Sequence, residues 1–447
     1  MSTSYRDTRV TVAGAGLGGT LAATMLAQLG FEVELFERRA DLRASQAERG
    51  RSINLAVSAR GIHALEQVGL AQEILEHAIP MRGRMLHQAD GTTSYLPYSA
   101  SGKEAIWSFS RTGLNQALLD AAERLPNLSL RFRHRCTDAD LATGSATFLD
   151  EATGQTFENH NAFLVGADGA FSAVRRAMQR LDRFDYRQDF LSHGYKELTI
   201  PARSGGGFAL DPHALHIWPR GSFMMIALPN RDESFTCTIF WPFEGPDSFA
   251  ELVTPGRVRA FFERHFADAV PLMPTLIEDF LSNPTSSLVT VRCAPWYVSD
   301  KIVLLGDAAH AVVPFYGQGM NASFEDCVVL KECLVQHELD FGAAFRTYFA
   351  RRKPHVDALA ELAIGNFLEM RDKVASRWFR GRKHLEHLLQ RLLPFWYLPL
   401  YDMVSFTRIP YGDAVARARH QDRTVLGAAL GLGLLLASAA LLFGVLR

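Results

Sequence analysis

The sequence predicts an α/β fold in which a sheet of parallel strands is interleaved with an antiparallel sheet and followed by helices. Three observations predict it: an apolar strand that runs through a glycine-rich turn into a helix near residue 9, short β-rich runs separated by Pro, Gly and Asn at 183–295, and Leu-rich helical patterns at 341–420. An apolar segment at the end of the chain adds one predicted transmembrane helix.

The composition is that of an ordinary folded protein. The 447 residues are 48% hydrophobic and 21% charged, which argues against a disordered chain or a polytopic membrane protein and suggests two or three domains. With 47 basic and 48 acidic side chains there is no basic field to attract nucleic acid, which is not expected as a partner. The scattered cysteines and the polar amino terminus favour a reducing, cytosolic compartment.

The first motif lies at the front of the chain, where the strand RVTVA leads through GAGLGG at 14–19 into the helical pattern TLAATMLAQL. Gly14 is expected to make the turn, Gly16 to let the backbone approach a pyrophosphate, and Gly19 to let helix and strand pack closely. A second strand ends at Glu37, near the spacing of the acid that binds a ribose hydroxyl. These features predict a Rossmann-like dinucleotide-binding unit, which suits NAD and FAD equally.

Two later motifs decide between these cofactors. The run FLVGADGAFSAVRR closes a strand on Asp168, and KIVLLGDAAH ends a strand at Asp307. With GxGxxG, DG and GD motifs in this order, the chain resembles the FAD-dependent aromatic hydroxylases with a single-component flavin fold. The resemblance implies that Asp307 binds the FAD ribityl chain and that the segment around Asp168 lies where FAD and reduced nicotinamide both approach. A helix N-cap is the plainer interpretation of Asp307, and both can hold.

Further segments narrow the resemblance, over residues 9–420, to the members of this family that hydroxylate L-kynurenine. They are RSINLAVSARG, MRGRM, WSFSRTGLNQALL, HGYKELTIP, LHIWPRG, VPFYGQGMNASFEDC and MVSFTRIPY. The resemblance implies FAD as the bound cofactor, NADPH as electron donor, O2 as co-substrate, and 3-hydroxykynurenine as the product formed through a flavin hydroperoxide in tryptophan catabolism. No second GxGxxG appears outside the apolar tail, so NADPH is expected to bind transiently. Tyr316 departs from the pattern, because its position in the PF-x-GQG segment varies within the family.

The resemblance also carries candidate site residues. Those implied to bind FAD are Gly14, Gly16, Leu17, Gly18, Gly19, Glu37, Arg38, Leu55, Ala56, Arg111, Cys136, Asp168, Asp307, Gly319, Met320 and Asn321. Those implied to bind the substrate are Arg84, Tyr98, Asn366, Tyr401, Phe315 and Tyr316. Kynurenine needs a fixed cation with donors at its amino-acid end and aromatic walls around its ring. Without the resemblance, Arg84 could equally be a surface charge and Tyr98 a packed aromatic.

No catalytic side chain and no metal are predicted. The aniline of kynurenine is neutral at pH 7 and already pushes electrons into its ring, so the flavin carries the chemistry and no strong protein base is required. His310 stands close to Asp307 in the sequence. We interpret it as a structural histidine at a helix start rather than as half of a catalytic dyad.

The predicted boundaries interleave the domains along the chain. They are an FAD-binding domain at 1–72, 104–182 and 296–340, a substrate domain at 73–103 and 183–295, a C-terminal helical region at 341–420, and a transmembrane anchor at 424–446.

The anchor prediction rests on length and charge. Residues 424–446 carry no charge and would span about 34 Å as a helix, enough for a hydrocarbon core of roughly 30 Å. Arginines precede the segment and one follows it: Arg417, Arg419, Arg423 and Arg447. The positive-inside bias then keeps the folded part in the cytosol, at a bacterial inner or mitochondrial outer membrane. A buried terminal helix or a hydrophobic interface is the alternative. Gly427 and Gly431 form a GxxxG that could pair two helices in a homodimer, although chance explains it better.

Two other functions stay open. One is a flavin hydroxylase or epoxidase of the same fold that acts on another aromatic or a lipid substrate. The other is a membrane-tethered flavoprotein dehydrogenase that passes electrons to quinone. A lipid or quinone site would not need the residues that fit an amino-acid end: Arg84, Tyr98, Asn366 and Tyr401.

Overall fold

The computed structural model describes residues 5, 7–44, 54–99, 102–368, 381, 386, 388–393 and 396–445. Residues 51–53 of the segment RSINLAVSARG and residue 446 of the predicted anchor lie outside this description. The strands are β1 Arg9–Ala13, β2 Glu32–Glu37, β3 Asn54–Val57, β4 Ile79–Met81, β5 Gly83–His87, β6 Thr93–Pro97, β7 Ile106–Ser110, β8 Leu128–Phe132, β9 His134–Ala139, β10 Ala146–Asp150, β11 Thr156–Asn159, β12 Phe163–Gly166, β13 Asp185–Ile200, β14 Ala214–Pro219, β15 Met224–Pro229, β16 Phe235–Pro242, β17 Ser286–Ala294, β18 Tyr297–Val298 and β19 Ile302–Leu304. The helices are α1 Leu17–Leu29, α2 Ala59–Glu66, α3 Ala71–His77, α4 Arg111–Glu123, α5 Ala173–Met178, α6 Pro255–His265, α7 Leu276–Ser282, α8 Asp307–His310, α9 Gly319–His337, α10 Phe341–Leu368, α11 Leu400–Phe406 and α12 Tyr411–Val445, with 3-10 turns at Val270–Leu272 and Pro314–Tyr316.

A six-stranded sheet organises the front of the molecule, in the order β18-β19-β12-β1-β2-β8. Every neighbouring pair is parallel except β18 with β19. The chain leaves β1 for β2 on one side and later returns to β12 on the other, so strand order reverses at β1. In parallel sheets, ligands bind at the carboxyl ends of the strands beside such a reversal. The carboxyl end of β1 therefore marks where a cofactor should lie.

A seven-stranded sheet forms the second layer, in the order β17-β13-β16-β15-β14-β5-β6. Its pairs are antiparallel except β14 with β5. Both faces of this sheet are covered, one by α6 and α7 and the other by α10. Its strands therefore show less alternation of buried and exposed side chains than a sheet with one face in solvent. Register pairs Arg84 of β5 with Leu215 of β14 and thereby brings a residue from early in the chain into this sheet.

The remaining helices cover both sheets. Helix α10 packs along α9, and the shorter α11 leads into α12. A small apolar cluster joins these C-terminal helices to the front of α9, and it contains Ala322, Leu359, Met403, Val404 and Tyr411. The carboxyl-terminal helices are thus docked on the cofactor side of the molecule rather than separated from it.

The prediction of a transmembrane helix at 424–446 is wrong. None of the helices formed by the described residues combines the length and the apolar character needed to cross a bilayer. The apolar segment does not begin a helix of its own, because it continues α12, which starts at Tyr411 and carries charged residues through its first turns. The membrane-anchored localisation is wrong for the same reason. A homodimer through Gly427 and Gly431 stays a prediction.

Candidate functional site

The glycine-rich turn lies at the carboxyl end of β1. Gly14 has a φ of +102°, in the left-handed region that favours glycine, and a Cβ there would overlap the carbonyl of Ala167. A Cβ on Gly19 would overlap the carbonyl of Gly14, and one on Gly18 would overlap the hydroxyl of Ser323. These three glycines are needed for close packing of α1 on its neighbours, which is part of what the motif predicts.

Gly16 differs from them. Its backbone is extended, and a Cβ built on it would meet no described atom within 4 Å. It is also the N-cap of α1, where no described side chain caps the helix and no acidic residue occupies the first turn. Uncapped N-terminal amides beside open space form an anion-binding arrangement. This arrangement fits the pyrophosphate of a dinucleotide.

Glu37 ends β2 next to the turn. Its Oε2 accepts a hydrogen bond of 3.0 Å from the Ala15 amide, and its Oε1 accepts from the Arg39 amide at 3.0 Å and from the Arg39 Nε at 3.1 Å. A carboxylate with three donors retains capacity for a further one. Glu37 is therefore held in place with room for a ribose hydroxyl. The neighbouring Arg38 is exposed.

Asp168 follows β12 on the other side of β1. Its Oδ2 accepts from the amides of Ala173 at 2.7 Å and Val174 at 3.3 Å. Its Oδ1 is buried and has no hydrogen-bond partner in the described part of the chain. Burial raises the pKa of this carboxyl, and the bonds from Ser172 and these amides oppose the shift. A buried, unpaired oxygen beside the glycine turn fits a site that a ligand completes.

Asp307 begins α8 at the end of β19. The N-cap of this helix is Gly306, and Asp307 is the first residue of the helix. The interpretation of Asp307 as the N-cap is therefore wrong. Burial raises the pKa of Asp307, while the positive charge of Arg111 opposes the shift. The side chain of Asp307 is nevertheless exposed to solvent. It is available to a ligand hydroxyl.

The turn before α8 is held by a buried carboxylate that the sequence motifs do not single out. Asp326 of α9 accepts from the Gly306 amide at 3.1 Å, from His310 Nε2 at 2.5 Å and from Arg352 Nε at 2.7 Å. Burial opposes ionisation of Asp326, but His310 and Arg352 hold its pKa below the ordinary value. His310 therefore pairs with Asp326 rather than with Asp307.

Asn321 joins β3 to the start of α9. Its Oδ1 accepts from the Ser58 amide at 2.9 Å, and its Nδ2 donates to the carbonyls of Ala56 at 2.8 Å and Gly317 at 2.9 Å. The side chain is thus used within the protein, which leaves the backbone of this turn to a ligand. The predicted residues that this arrangement brings together are Leu55, Ala56, Gly319, Met320 and Asn321.

Cys136 lies on β9, outside the six-stranded sheet. Burial, with the negative charge of Asp168 nearby, raises the pKa of its thiol. The sulfur therefore stays protonated and unreactive, close to the segment that follows β12.

A cavity of about 590 Å³ opens between β5 and the C-terminal helices. Four predicted substrate residues line it: Arg84, Tyr316, Asn366 and Tyr401. The guanidinium carbon of Arg84 lies 4.5 Å from the ring centroid of Tyr401 and 5.7 Å from that of Tyr98. The rings of Tyr98 and Tyr401 stack at 5.3 Å. The Arg84 guanidinium thus lies against an aromatic surface of the cavity wall.

The hydroxyl of Tyr98 is buried. None of the described residues meets it with hydrogen-bond geometry, although Tyr401 and Arg84 are close enough to act on its ionisation. Burial raises the pKa of this hydroxyl well above its ordinary value. It therefore stays protonated.

Phe315 is placed differently from the other predicted substrate residues. Its ring is buried and stacks on Phe367 at 4.2 Å, and its carbonyl accepts from Asn366 Nδ2 at 2.6 Å. Tyr316, the next residue, lines the cavity with its ring 5.6 Å from that of Tyr401. The 3-10 turn thus packs one aromatic behind the cavity wall and presents the other.

The cavity also contains charged residues that sequence reasoning missed, among them Glu386, Arg419 and Asp422. Charged residues are normal on any helix surface, so no local pattern distinguishes these three. Only the folded arrangement brings Glu386 to the same cavity as Arg419 and Asp422 of α12.

Comparison with known proteins identifies close relatives. A family described as an FAD binding domain matches residues 7–363. A kynurenine 3-monooxygenase of Myxococcus xanthus is 49% identical over 411 residues, covering 92% of this chain and 88% of the relative. A kynurenine 3-monooxygenase of Salinispora arenicola is 49% identical over 436 residues, covering 97% and 96%. Among solved structures, the tetrameric form of 2-methyl-3-hydroxypyridine-5-carboxylic acid oxygenase matches with a TM-score of 0.67 at 21% identity, covering 83% of this chain and 94% of that one. The predicted mixed α/β FAD-binding fold is confirmed.

Proposed function

We propose that this chain, which belongs to the kynurenine 3-monooxygenase family and carries its FAD binding domain, hydroxylates L-kynurenine to 3-hydroxykynurenine. It is an FAD-dependent monooxygenase that takes electrons from NADPH and oxygen from O2. One observation carries the choice of substrate: the wall of a single cavity combines the Arg84 guanidinium with the rings of Tyr316 and Tyr401, and the buried Tyr98 ring stacks on Tyr401. Kynurenine presents a carboxylate at one end and an aniline ring at the other, which is the complementary pattern.

In this proposal FAD binds without a covalent link along the carboxyl ends of the parallel strands. The amides that follow Gly16 would hold its pyrophosphate, Glu37 its ribose and Asp307 its ribityl chain. The open space at Gly16 and the unpaired Asp168 oxygen support this placement. The flavin ring would lie against the backbone of the residues that begin α9, Gly319 to Asn321.

Bound FAD supplies the redox chemistry, because it accepts electrons from NADPH and activates O2 for transfer to an aromatic ring. The chain's own residues bind and orient the substrate. Arg84 pairs with the substrate carboxylate, and Tyr98 donates a hydrogen bond to it. Tyr316 and Tyr401 form walls that exclude water around the ring. The aniline nitrogen already activates the ring carbon beside it, so these residues need not remove a proton first.

The two alternatives fit the cavity less well. A quinone or an uncharged lipid has no carboxylate, so neither would offer an anion to the Arg84 guanidinium on the cavity wall. Either ligand, bound in this cavity, would also place apolar groups against the Arg84 guanidinium. The quinone-reducing dehydrogenase is also defined by a membrane tether. None of the described helices is long and apolar enough to provide that tether.

The test is turnover by the purified, FAD-loaded protein. L-kynurenine should accelerate NADPH oxidation, and mass spectrometry should find one added oxygen on the kynurenine ring. The matched control is kynuramine, which keeps the ketone and aniline ring but lacks the carboxylate. It should stimulate NADPH oxidation far less. Equal NADPH oxidation with both compounds, or no hydroxylated product, would contradict the proposal.

A further inference from the structure

Arg60 lies on α2, where this helix meets α9 and the loop between α11 and α12. Its side chain is 0% exposed, and its Nε donates to Glu325 at 3.2 Å. Its two terminal nitrogens donate to the carbonyls of Val404 and Ile409. Its guanidinium also lies 4.0 Å from the ring centroid of Tyr411. One buried guanidinium therefore joins the front half of the chain to its carboxyl-terminal helices.

The contact at Val404 is a helix cap. Helix α11 spans Leu400–Phe406, so the carbonyl of Val404 is one of the last four, which have no partner within the helix. A cation at this end also complements the helix dipole. Arg60 therefore satisfies the carboxyl end of α11 with a side chain from a distant part of the sequence.

Helix α11 carries one wall of the substrate cavity. Tyr401 lies one turn before Val404, under the Arg84 guanidinium and stacked on Tyr98. The orientation of this short helix therefore determines where the Tyr401 ring stands relative to Arg84.

Apolar packing and the hydrogen bonds of Arg60 both hold α11, since Met403 and Val404 are buried in the apolar cluster with Ala322. A second cavity, of about 240 Å³, lies between α2, α9, α10 and the segment around Arg408 and Pro410, and Arg60 is part of its wall. Most residues that line this cavity are polar or charged, so on this side the hydrogen bonds of Arg60 make the connection to α11. Glu325 also accepts from Arg352 at 2.5 Å, and Arg352 pairs with Asp326 as well, so two carboxylates balance the two guanidiniums.

We propose that Arg60 is a positioning residue for the substrate cavity, which caps α11 and so holds Tyr401 against Arg84. The inference rests on the proposed function, since it concerns the site for kynurenine. Arg60 does not touch the substrate, and it acts through α11. Without the cap, α11 samples other orientations, and the affinity for kynurenine falls in proportion to the fraction of molecules with Tyr401 in place.

The first experiment compares Arg60→Met with wild type. The KM for kynurenine should rise about tenfold if the competent orientation falls to about one tenth of the population. The kcat at saturating kynurenine and the FAD content should stay near wild type. Arg60→Lys keeps a cation at this position and should recover part of the KM. The control is Arg351→Met on α10, which removes an exposed ion pair with Glu332 and should leave the KM unchanged.

A second measurement does not depend on turnover. Backbone hydrogen exchange of residues 400–412, recorded without kynurenine, should be faster in Arg60→Met than in wild type, while exchange in α1 should not change. Combining Arg60→Met with Tyr401→Leu should give less than the sum of the two effects on KM, because both act on one ring.

The outcomes separate this inference from the proposed function. If the wild type itself shows no kynurenine-stimulated NADPH oxidation, the proposed function fails, and hydrogen exchange still decides whether Arg60 caps α11. If kynurenine works but Arg60→Met keeps both the wild-type KM and the wild-type exchange at 400–412, the inference is overturned. A loss of melting temperature and FAD with unchanged KM would also overturn it, because Arg60 would then serve stability alone. Should Arg60→Met fail to fold, Arg60→Lys and Glu325→Gln are judged by the same two measurements.

Discussion

Replacing Arg84 by Ala tests the substrate assignment most directly. Arg84 lies on β5 with its guanidinium over the Tyr401 ring, on the wall of the 590 Å³ cavity. If kynurenine binds there, the substitution leaves its carboxylate inside the cavity without its cation. The FAD-binding turn is untouched, because β5 belongs to the seven-stranded sheet.

The expected size of the effect follows from the cost of an unpaired charge. Removing one partner of a buried, hydrogen-bonded charge pair costs about 2–5 kcal/mol, which corresponds to roughly 30-fold to 5000-fold in affinity. The cavity also has an opening, so water can partly solvate the stranded carboxylate. We therefore expect the lower end, an increase of about 30-fold to 100-fold in the KM for kynurenine.

The assay is kynurenine-stimulated NADPH oxidation, with FAD content measured on the same samples. Arg82→Ala is the matched control, because Arg82 lies two residues before Arg84 and is exposed. It should behave as wild type. Kynuramine provides a second control, since a substrate without a carboxylate should lose little when Arg84 is removed. If Arg84→Ala kept the wild-type KM for kynurenine, or if it weakened kynuramine equally, the carboxylate would not be bound by Arg84 and the pocket assignment would be wrong.

Three further predictions concern single groups. Tyr98→Phe removes one hydrogen bond to a charged group, so the KM for kynurenine should rise about tenfold, less than for Arg84→Ala, in the same NADPH assay; an unchanged KM would show that the hydroxyl does not meet the substrate. Gly16→Val should abolish FAD uptake, measured by flavin absorbance. The apoprotein should keep its melting temperature, because the Cβ of the new valine enters open space and meets no protein atom. Retained FAD would contradict the pyrophosphate placement. Burial raises the pKa of Asp307, whereas hydrogen bonds from ribityl hydroxyls favour its ionised form. FAD binding should therefore release a proton, and the affinity for FAD should weaken as the pH falls through the raised pKa of the free protein. Asp307→Asn should remove this pH dependence, and a dependence that survives in Asp307→Asn would assign it to another group.

The front of the fold could be predicted from local sequence because its determinants are local. A strand, a glycine turn and a helix follow one another within residues 9–29, and each glycine acts on its near neighbours. The buried carboxylate of Asp326 could not be found in this way. It serves Gly306 twenty residues earlier and Arg352 twenty-six residues later, and nothing in the helical pattern of α9 distinguishes it from an ordinary charged residue.

The wrong prediction at 424–446 has a related cause. The apolar window by itself predicts a spanning helix, whereas the helix that contains it begins at Tyr411. Its first turns carry charges and lie against α10 and α11. A window without charges thus indicates the affinity of a segment for an apolar environment and does not indicate which environment it has.

The substrate cavity depends on pairings between distant residues. Arg84 comes from β5, which enters the seven-stranded sheet only by pairing in parallel with β14, and Tyr401 comes from a helix more than three hundred positions later. Neither periodicity nor spacing links the two, and only the resemblance to a family brought them into one prediction. The structure adds a physical link, because Arg60 caps α11 from the front half of the chain. Since the cation and the aromatic wall are carried by separate layers, a substitution at their junction should change substrate affinity without touching either the substrate or FAD.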